Sequence, residues 1–324
     1  MNFQSEKALV RDFHSEVLRN PKDAFDKYVQ ADSHWRGFHP FGLLRADEAP
    51  VQFWEPLQNA LSNLQWRTDI FFAGKNQIDD FQSTWVVSMG HLLGLFDKAW
   101  LNIRPTQKLA MLRFCEFSRV ENGQLTEQAM YFDIPHLMAQ AGQNPFPEGT
   151  AENLVQPGPM GGQGVLLDDH PENEGQDTLK AINAMIMDLG NWDHPLPLEE
   201  ELRLTWHEDM IWWGPTGIGA TYTIPRYAKQ HSGPFRATFA DRNFNGHLAK
   251  LAEGNFGGFF GWPNFTARPI KPFLGLEPKK ETTVEFRVID IYRRDGDKLA
   301  ENWIFIDLLH YAHQMGRDVL GELK

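Results

Sequence analysis

Two aspartates close apolar stretches of this 324-residue chain, and each is followed three residues later by a histidine: Asp133 with His136, and Asp307 with His310. Strand alternation sets Glu127, Ala129, Tyr131 and Asp133 on one face, and Glu301, Trp303, Phe305 and Asp307 on one face of the later stretch. Both faces are apolar near the strand ends, so these are interior strands. Burial raises a carboxyl's pKa, and a raised pKa suits a general acid near neutrality. Glu127 cannot assist Asp133, because six residues of strand separate them by roughly 20 Å. The carboxyl would work alone or with a histidine from another strand. A second reading uses the same residues: each Asp sits where a strand gives way to a helix, and Asp is a preferred helix N-cap. Backbone N–H bonds would then lower its pKa and spoil it as an acid.

His39 and His91 fall on a loop and a strand, and His247 follows Asp241-Arg242. Imidazole can relay a proton or orient a substrate oxygen, and a satisfied structural histidine is the alternative. Asp241 and Arg242 read as an ion pair fixing a loop. His310 and His313, like His34 and His39, lack a third ligand at telling spacing, so no metal site is expected. Cys115, the single cysteine, sits inside an alternating strand and reads as a small core residue. It leaves no internal disulfide, which fits a cytoplasmic protein. Trp35, Trp212, Trp213 and Trp262, with Tyr131 and Trp303, could wall a pocket for a planar ligand; aromatic core packing explains them equally. Gly214, Gly217 and Gly219 lack the Gly-Lys-Ser/Thr ending and helix context of a phosphate loop.

The elements that must position these groups occur twice. Phe114–Gly142 aligns without a gap on Val288–Gly316, with identities at Arg119/Arg293, Leu125/Leu299, Glu127/Glu301, Asp133/Asp307, His136/His310, Gln140/Gln314 and Gly142/Gly316. An offset this long is a duplicated domain, not a solenoid. Each half runs from helices to strands. The first opens on an amphipathic helix carrying Leu9, Val10, Phe13 and Val17, then Asn20-Pro21 starts a short helix, and a third runs from about Ala49 through Leu64. The second half has helices from about Asp177, over Leu198 to Trp206, and near Ile224 to His231. Residues 143–176 are rich in Pro and Gly and read as a linker between a first domain over 1–142 and a second over 177–324. The expected fold is α+β: two tandem cones, each with helices on a curved, mainly antiparallel sheet. The two sheets would pack as an internal pseudo-dimer, with further homodimerisation open.

The formal net charge of -12 disfavours nucleic acid and anionic lipid as partners, and no apolar run is long enough for a membrane span.

ENGQLTEQAMYFDIPHLMAQAG and DGDKLAENWIFIDLLHYAHQMG resemble the C-terminal signature of the SnoaL-like polyketide cyclase family, within the nuclear transport factor 2-like (cystatin-like) superfamily. GFHPFG, GHLLG and IRPTQK in the first half, and WWGPTGIG, FADRNFNGH, GNFGGFFGWP and FLGLEP in the second, are similar to further segments of it. The resemblance implies ring closure without metal or cofactor, acting on a small hydrophobic carbonyl compound. It puts the acid/base role on Asp133 and Asp307, with His39, His91 and His247 as helpers. Two positions depart from the family pattern: His39 before Pro-x-Gly is matched by Gly214, and a Thr-His element reads Ala267-Arg268. Lyase or isomerase chemistry, a binding protein for a hydrophobic metabolite and a structural module all stay open. They differ in whether the cones are open and what points into them.

Overall fold

A computed structural model describes residues 2–149, 151, 156–192 and 194–323. Two curved sheets form, one per half, each with helices across one face. The first contains β1 (Val29–Gly37), β2 (Gly42–Arg45), β3 (Leu61–Lys75), β4 (Thr84–Phe96), β5 (Leu109–Glu121) and β6 (Gln124–Phe132), in the order β2-β1-β6-β5-β4-β3. The second contains β7 (Trp206–Trp213), β8 (Thr221–Tyr222), β9 (Phe239–Phe244), β10 (Ala249–Glu253), β11 (Phe256–Pro269), β12 (Val284–Asp295) and β13 (Lys298–Ile306). Its order is β10-β11-β12-β13-β7-β8, with β9 also on β11. The architecture is the expected tandem α+β fold.

Sequence periodicity places the helices well and misses one class of strand. Asn20 caps the helix Pro21–Tyr28, its side-chain oxygen accepting from Asp23 N at 3.2 Å. β1 and β7, which follow the helices Pro21–Tyr28 and Leu198–Thr205, were not expected. Each pairs in parallel with the last strand of its sheet. The third helix also ends earlier than its apolar spacing suggests. Pro50–Trp54 is a π-helical turn, Glu55–Ala60 completes the helix, and Leu61 already starts β3. The second half repeats this as the π turn Ala228–Ser232 followed by Gly233–Thr238. The first helix of the second half starts at Glu172, inside the stretch read as linker.

The pleat sorts side chains into two cores. Ala129 and Tyr131 of β6, and Trp303 and Phe305 of β13, point away from the helices into one cluster with Phe72, Trp85, Phe117, Phe260 and Ile291. That cluster is the contact between the two sheets. The alternate residues of the same strands, among them Met130, Phe132 and Ile306, face the helices. Polar ties flank the contact. Lys7 Nζ lies 2.6 Å from Glu253 Oε1, both side chains buried, and Glu253 Oε2 accepts from Ala73 N at 2.8 Å. Burial pushes the Glu253 pKa up against this pairing.

Buried Asn76 spans the two halves: its Nδ2 donates to Leu248 O at 3.1 Å, and its Oδ1 accepts from Lys250 N at 3.0 Å. Asn76→Ala strands both groups and should cost about 2 kcal/mol in a urea titration, since unsatisfied buried polar groups cost about 1–3 kcal/mol each. An unchanged midpoint would show that this tie carries no stability.

The linker lies along the sheets. Phe71 pairs with Val165 in a parallel bridge, and Met160 N donates to both Glu301 oxygens at 3.1 Å. Thr150 and residues 152–155 lie outside the described residues. Among the described residues no helix is long and apolar enough to cross a membrane.

Candidate active site

The two strand-end aspartates cap helices and face away from the cones. Asp133 accepts from His136 N at 3.1 Å at the start of the helix Ile134–Gln140, and from Thr216 N of the other half at 3.0 Å. Asp307 accepts from His310 N at 3.1 Å, and from His39 N of the first half at 2.9 Å. The physical reason is the pleat. Asp133 continues the face of Ala129 and Tyr131, and Asp307 that of Trp303 and Phe305, which look into the sheet-to-sheet contact. Behind each lies an arginine at equivalent positions: Arg113 at 3.9 Å from Asp133, and Arg287 at 3.8 Å from Asp307. Burial pushes the Asp307 pKa up to about 6 despite these partners.

The two crossed bonds also reset the alignment of the halves. Trp35 pairs with Gln128 and Trp212 with Asn302, so Gly37 answers to Gly214 and His39 to Thr216. Both glycines are forced. A Cβ on Gly37 would fall 2.4 Å from the Trp35 ring, and one on Gly214 2.0 Å from the Trp212 ring. His39 is therefore a loop residue whose backbone matters; its ring stacks on His313 at 4.8 Å, and burial lowers its pKa to about 4.

The remaining sequence candidates separate cleanly. His91 is buried on β4 with Nδ1 3.2 Å from Asp69 Oδ2. Trp35 is core of the first cone, against Phe53. Trp213, Tyr131 and Trp303 belong to the sheet-to-sheet cluster; the Tyr131 hydroxyl donates to Gly261 O and Trp303 Nε1 to Pro157 O, both at 3.1 Å. Trp262 packs beside that cluster, under the Arg287 guanidinium. Trp212 and His247 line a cavity. Cys115 is buried in the sheet-to-sheet cluster. Among the described residues no three His, Cys, Asp or Glu side chains cluster to hold a metal.

That cavity, about 530 Å³, fills the cone of the second half between its helices and sheet. At its wall stands a carboxyl the identity alignment passes over, Asp290 of β12. Asn302 Nδ2 of β13 donates to Asp290 Oδ1 at 3.0 Å, and the Tyr292 phenol is a second hydrogen-bond partner. Burial outweighs both and pushes the Asp290 pKa up to about 7. Around it stand Tyr227, whose phenol burial keeps protonated, and His231, stacked on Trp212 at 3.9 Å. Burial takes the His231 and His247 pKa values down to about 3, so both imidazoles are neutral at physiological pH. They can orient a ligand, but neither is a base of useful strength.

The first half holds the same pair in a closed form. Glu116 answers to Asp290 at the 174-residue offset, and Gln128 to Asn302; Gln128 Nε2 donates to Glu116 Oε1 at 3.2 Å. Here the first helix, Gln4–Val17, reaches in. His14 Nε2 sits 2.5 Å from Glu116 Oε2, and the imidazole stacks on Trp66 at 3.7 Å. Phe53 takes the place of His231 under the equivalent tryptophan. The first cone is packed with aromatic side chains, and its carboxylate is already spent on an internal partner. The signal for the pair was present: FCEFS and VIDIY each carry one acid in the middle of an apolar strand.

No protein-family model matches the sequence, and no curated protein matches it. Solved structures of SnoaL-like and NTF2-like proteins are similar to it one unit at a time. A candidate SnoaL-like polyketide cyclase from Jannaschia sp. CCS1 is 14% identical, covering 46% of this chain and 96% of its own, with a TM-score of 0.35. An NTF2-like protein from Burkholderia xenovorans LB400 is 16% identical over 44% of this chain and 97% of its own, at a TM-score of 0.33. AclR from Streptomyces galilaeus, a candidate hydroxylase, is 16% identical over 44% and 98%, at 0.37. The likeness is one of fold.

Proposed function

We propose that the second unit is a cofactor-independent acid/base enzyme, an isomerase, cyclase or lyase, that moves a proton at a carbon beside a carbonyl group. One observation carries this: a buried carboxyl with a pKa of about 7 stands in the wall of a cavity large enough for a small organic molecule. As carboxylate, Asp290 takes the proton from carbon; as acid, it returns the proton to another position. The Asn302 amide fixes the plane of the carboxyl while it does so. Tyr227 and His231, both neutral, are the groups placed to donate to the oxygen on which enolate charge develops. Binding without turnover is the reading that a negative test would favour. The first unit, with its cone filled, acts as the structural half.

A generic substrate tests this without knowledge of the physiological one. Exchange of the α-protons of 2-tetralone into D₂O is read by proton NMR. The protein should accelerate it with a rate that rises through pH 7 and levels above it, because only the ionised Asp290 is the base. Below pH 7 the rate should fall about tenfold per pH unit. A rate equal to that of buffer, or a profile flat from pH 5 to 8, would remove Asp290 as the base.

A further inference from the structure

Arg242 enters the same cavity without a counter-charge. Its neighbour Asp241, expected as its partner, instead binds Arg268, with Nε to Oδ2 at 2.6 Å. The other cavity arginine, Arg236, is matched by Glu201 through two bonds of 2.9 and 2.6 Å. Arg242 has no carboxylate within ion-pair distance among the described residues. Its guanidinium lies over Trp192 and Phe265, 5.4 and 5.0 Å from the ring centres, and one amino group donates to Leu189 O at 3.0 Å. Its buried Nε has no partner. The stacked rings and the carbonyl bond hold the fork in one orientation, with an unused donor edge.

His247 supplies a second unused donor nearby. Asn264 Oδ1 accepts from Val288 N at 2.7 Å, which leaves its Nδ2 facing His247 Nδ1 at 3.5 Å. An amide NH₂ only donates, so Nδ1 accepts and the ring proton sits on Nε2. That Nε2 is buried without a partner. Both nitrogens are covered by neighbouring atoms, so an acceptor in the cavity reaches them once the two side chains shift slightly, and an unpaired guanidinium calls for a charged one. The path back to Asp290 is aromatic: from Tyr292 the ring of Phe259 follows at 5.8 Å, then that of His247 at 4.0 Å. A ligand reaching from the carboxyl to the arginine must lie along these rings.

We infer that the second cone takes a planar aromatic carboxylate, its anionic end held by Arg242 and His247 and its reacting carbon at Asp290. The inference rests on the second cavity being the ligand site of the proposed function, and not on the chemistry done there.

Titration calorimetry with 2-naphthoate and its uncharged analogue 2-naphthamide tests it. The wild-type protein should bind the acid at least about tenfold more tightly than the amide. Arg242→Met should bring the two within about twofold, chiefly by weakening the acid, while the amide, which forms no ion pair with the guanidinium, weakens by no more than a few-fold and so also reports an intact fold. Asp290→Asn should keep the preference. Equal affinities in the wild type, no binding of either probe at millimolar concentration, or a preference that survives Arg242→Met would overturn the inference. An acid preference in a protein inactive toward 2-tetralone separates ligand class from catalysis. Exchange activity without the preference keeps the catalyst and removes the anion site.

Discussion

Asp290→Asn should lower proton-transfer turnover by about 10²–10⁴-fold, the usual contribution of a positioned general base. The substitution keeps the shape of the side chain and an oxygen for the Asn302 amide, so the loss reads chemistry and not packing. It should also make the protein more stable at neutral and alkaline pH, and the sign follows from the shift. The folded Asp290 pKa is raised from 3.8 to about 7, so the fold prefers the protonated acid. Below pH 3.8 both states are protonated and the group costs nothing. As pH rises towards 7 the unfolded chain ionises first, and stability falls; above 7 the penalty is constant. Its size is on the order of a few kcal/mol, at 1.36 kcal/mol per pKa unit. Urea titrations should therefore show the variant gaining more at pH 8 than at pH 5. A variant that loses activity but gains nothing would mean the carboxyl is not buried in its charged form.

Asp133→Ala should have the opposite signature, a large loss of stability with no change in chemistry. It frees the N–H groups of His136 and Thr216 and leaves the buried Arg113 guanidinium without its nearest anion. Breaking a buried charge pair costs about 3–5 kcal/mol. Asp307→Ala removes the mirror-related bonds to His310 and His39. Its cost should be smaller, about 2–3 kcal/mol, because burial already penalises the Asp307 charge and the charge-assisted bonds are what is lost. The bonds from Thr216 to Asp133 and from His39 to Asp307 join one half to the other, so the unfolding transition should also broaden as the halves lose coupling. Denaturant curves read both effects. Unchanged stability together with lost turnover would restore these residues as the acids.

The sequence made the duplication legible because identities survive where the backbone needs them: at the capping aspartates, at the helix-ending Gly142 and Gly316, and at Glu127 and Glu301. Those identities drew attention to Asp133 and Asp307, which cap helices, and away from Glu116 and Asp290. Asp133 and Asp307 are shared because each holds two backbone groups, and that need is the same in both halves. Glu116 and Asp290 differ by one methylene and so escape a count of identities, although both break apolar strands. Alternation correctly grouped Asp133 with Tyr131, and Asp307 with Trp303. It could not say that this face meets the other sheet, since both faces of such strands are apolar. Nor could spacing show that the first helix brings His14 down onto Glu116 while in the second half Asp290, bonded to Asn302 and Tyr292, stands at the wall of a cavity. That depends on how far a helix reaches across a cone. The break between β9 and β10, which sets His247 at the cavity, was equally hidden, because the first half runs the same stretch as one strand, β3.

The proposed division, with one duplicated carboxyl–amide pair working and the other plugged, separates two variants. The most direct measurement is 2-tetralone exchange at pH 8 by two variants in parallel, Asp290→Asn and Glu116→Gln. Asp290→Asn should fall to the rate of buffer while Glu116→Gln retains the wild-type rate. Exchange lost in Glu116→Gln and retained in Asp290→Asn would contradict the proposed division.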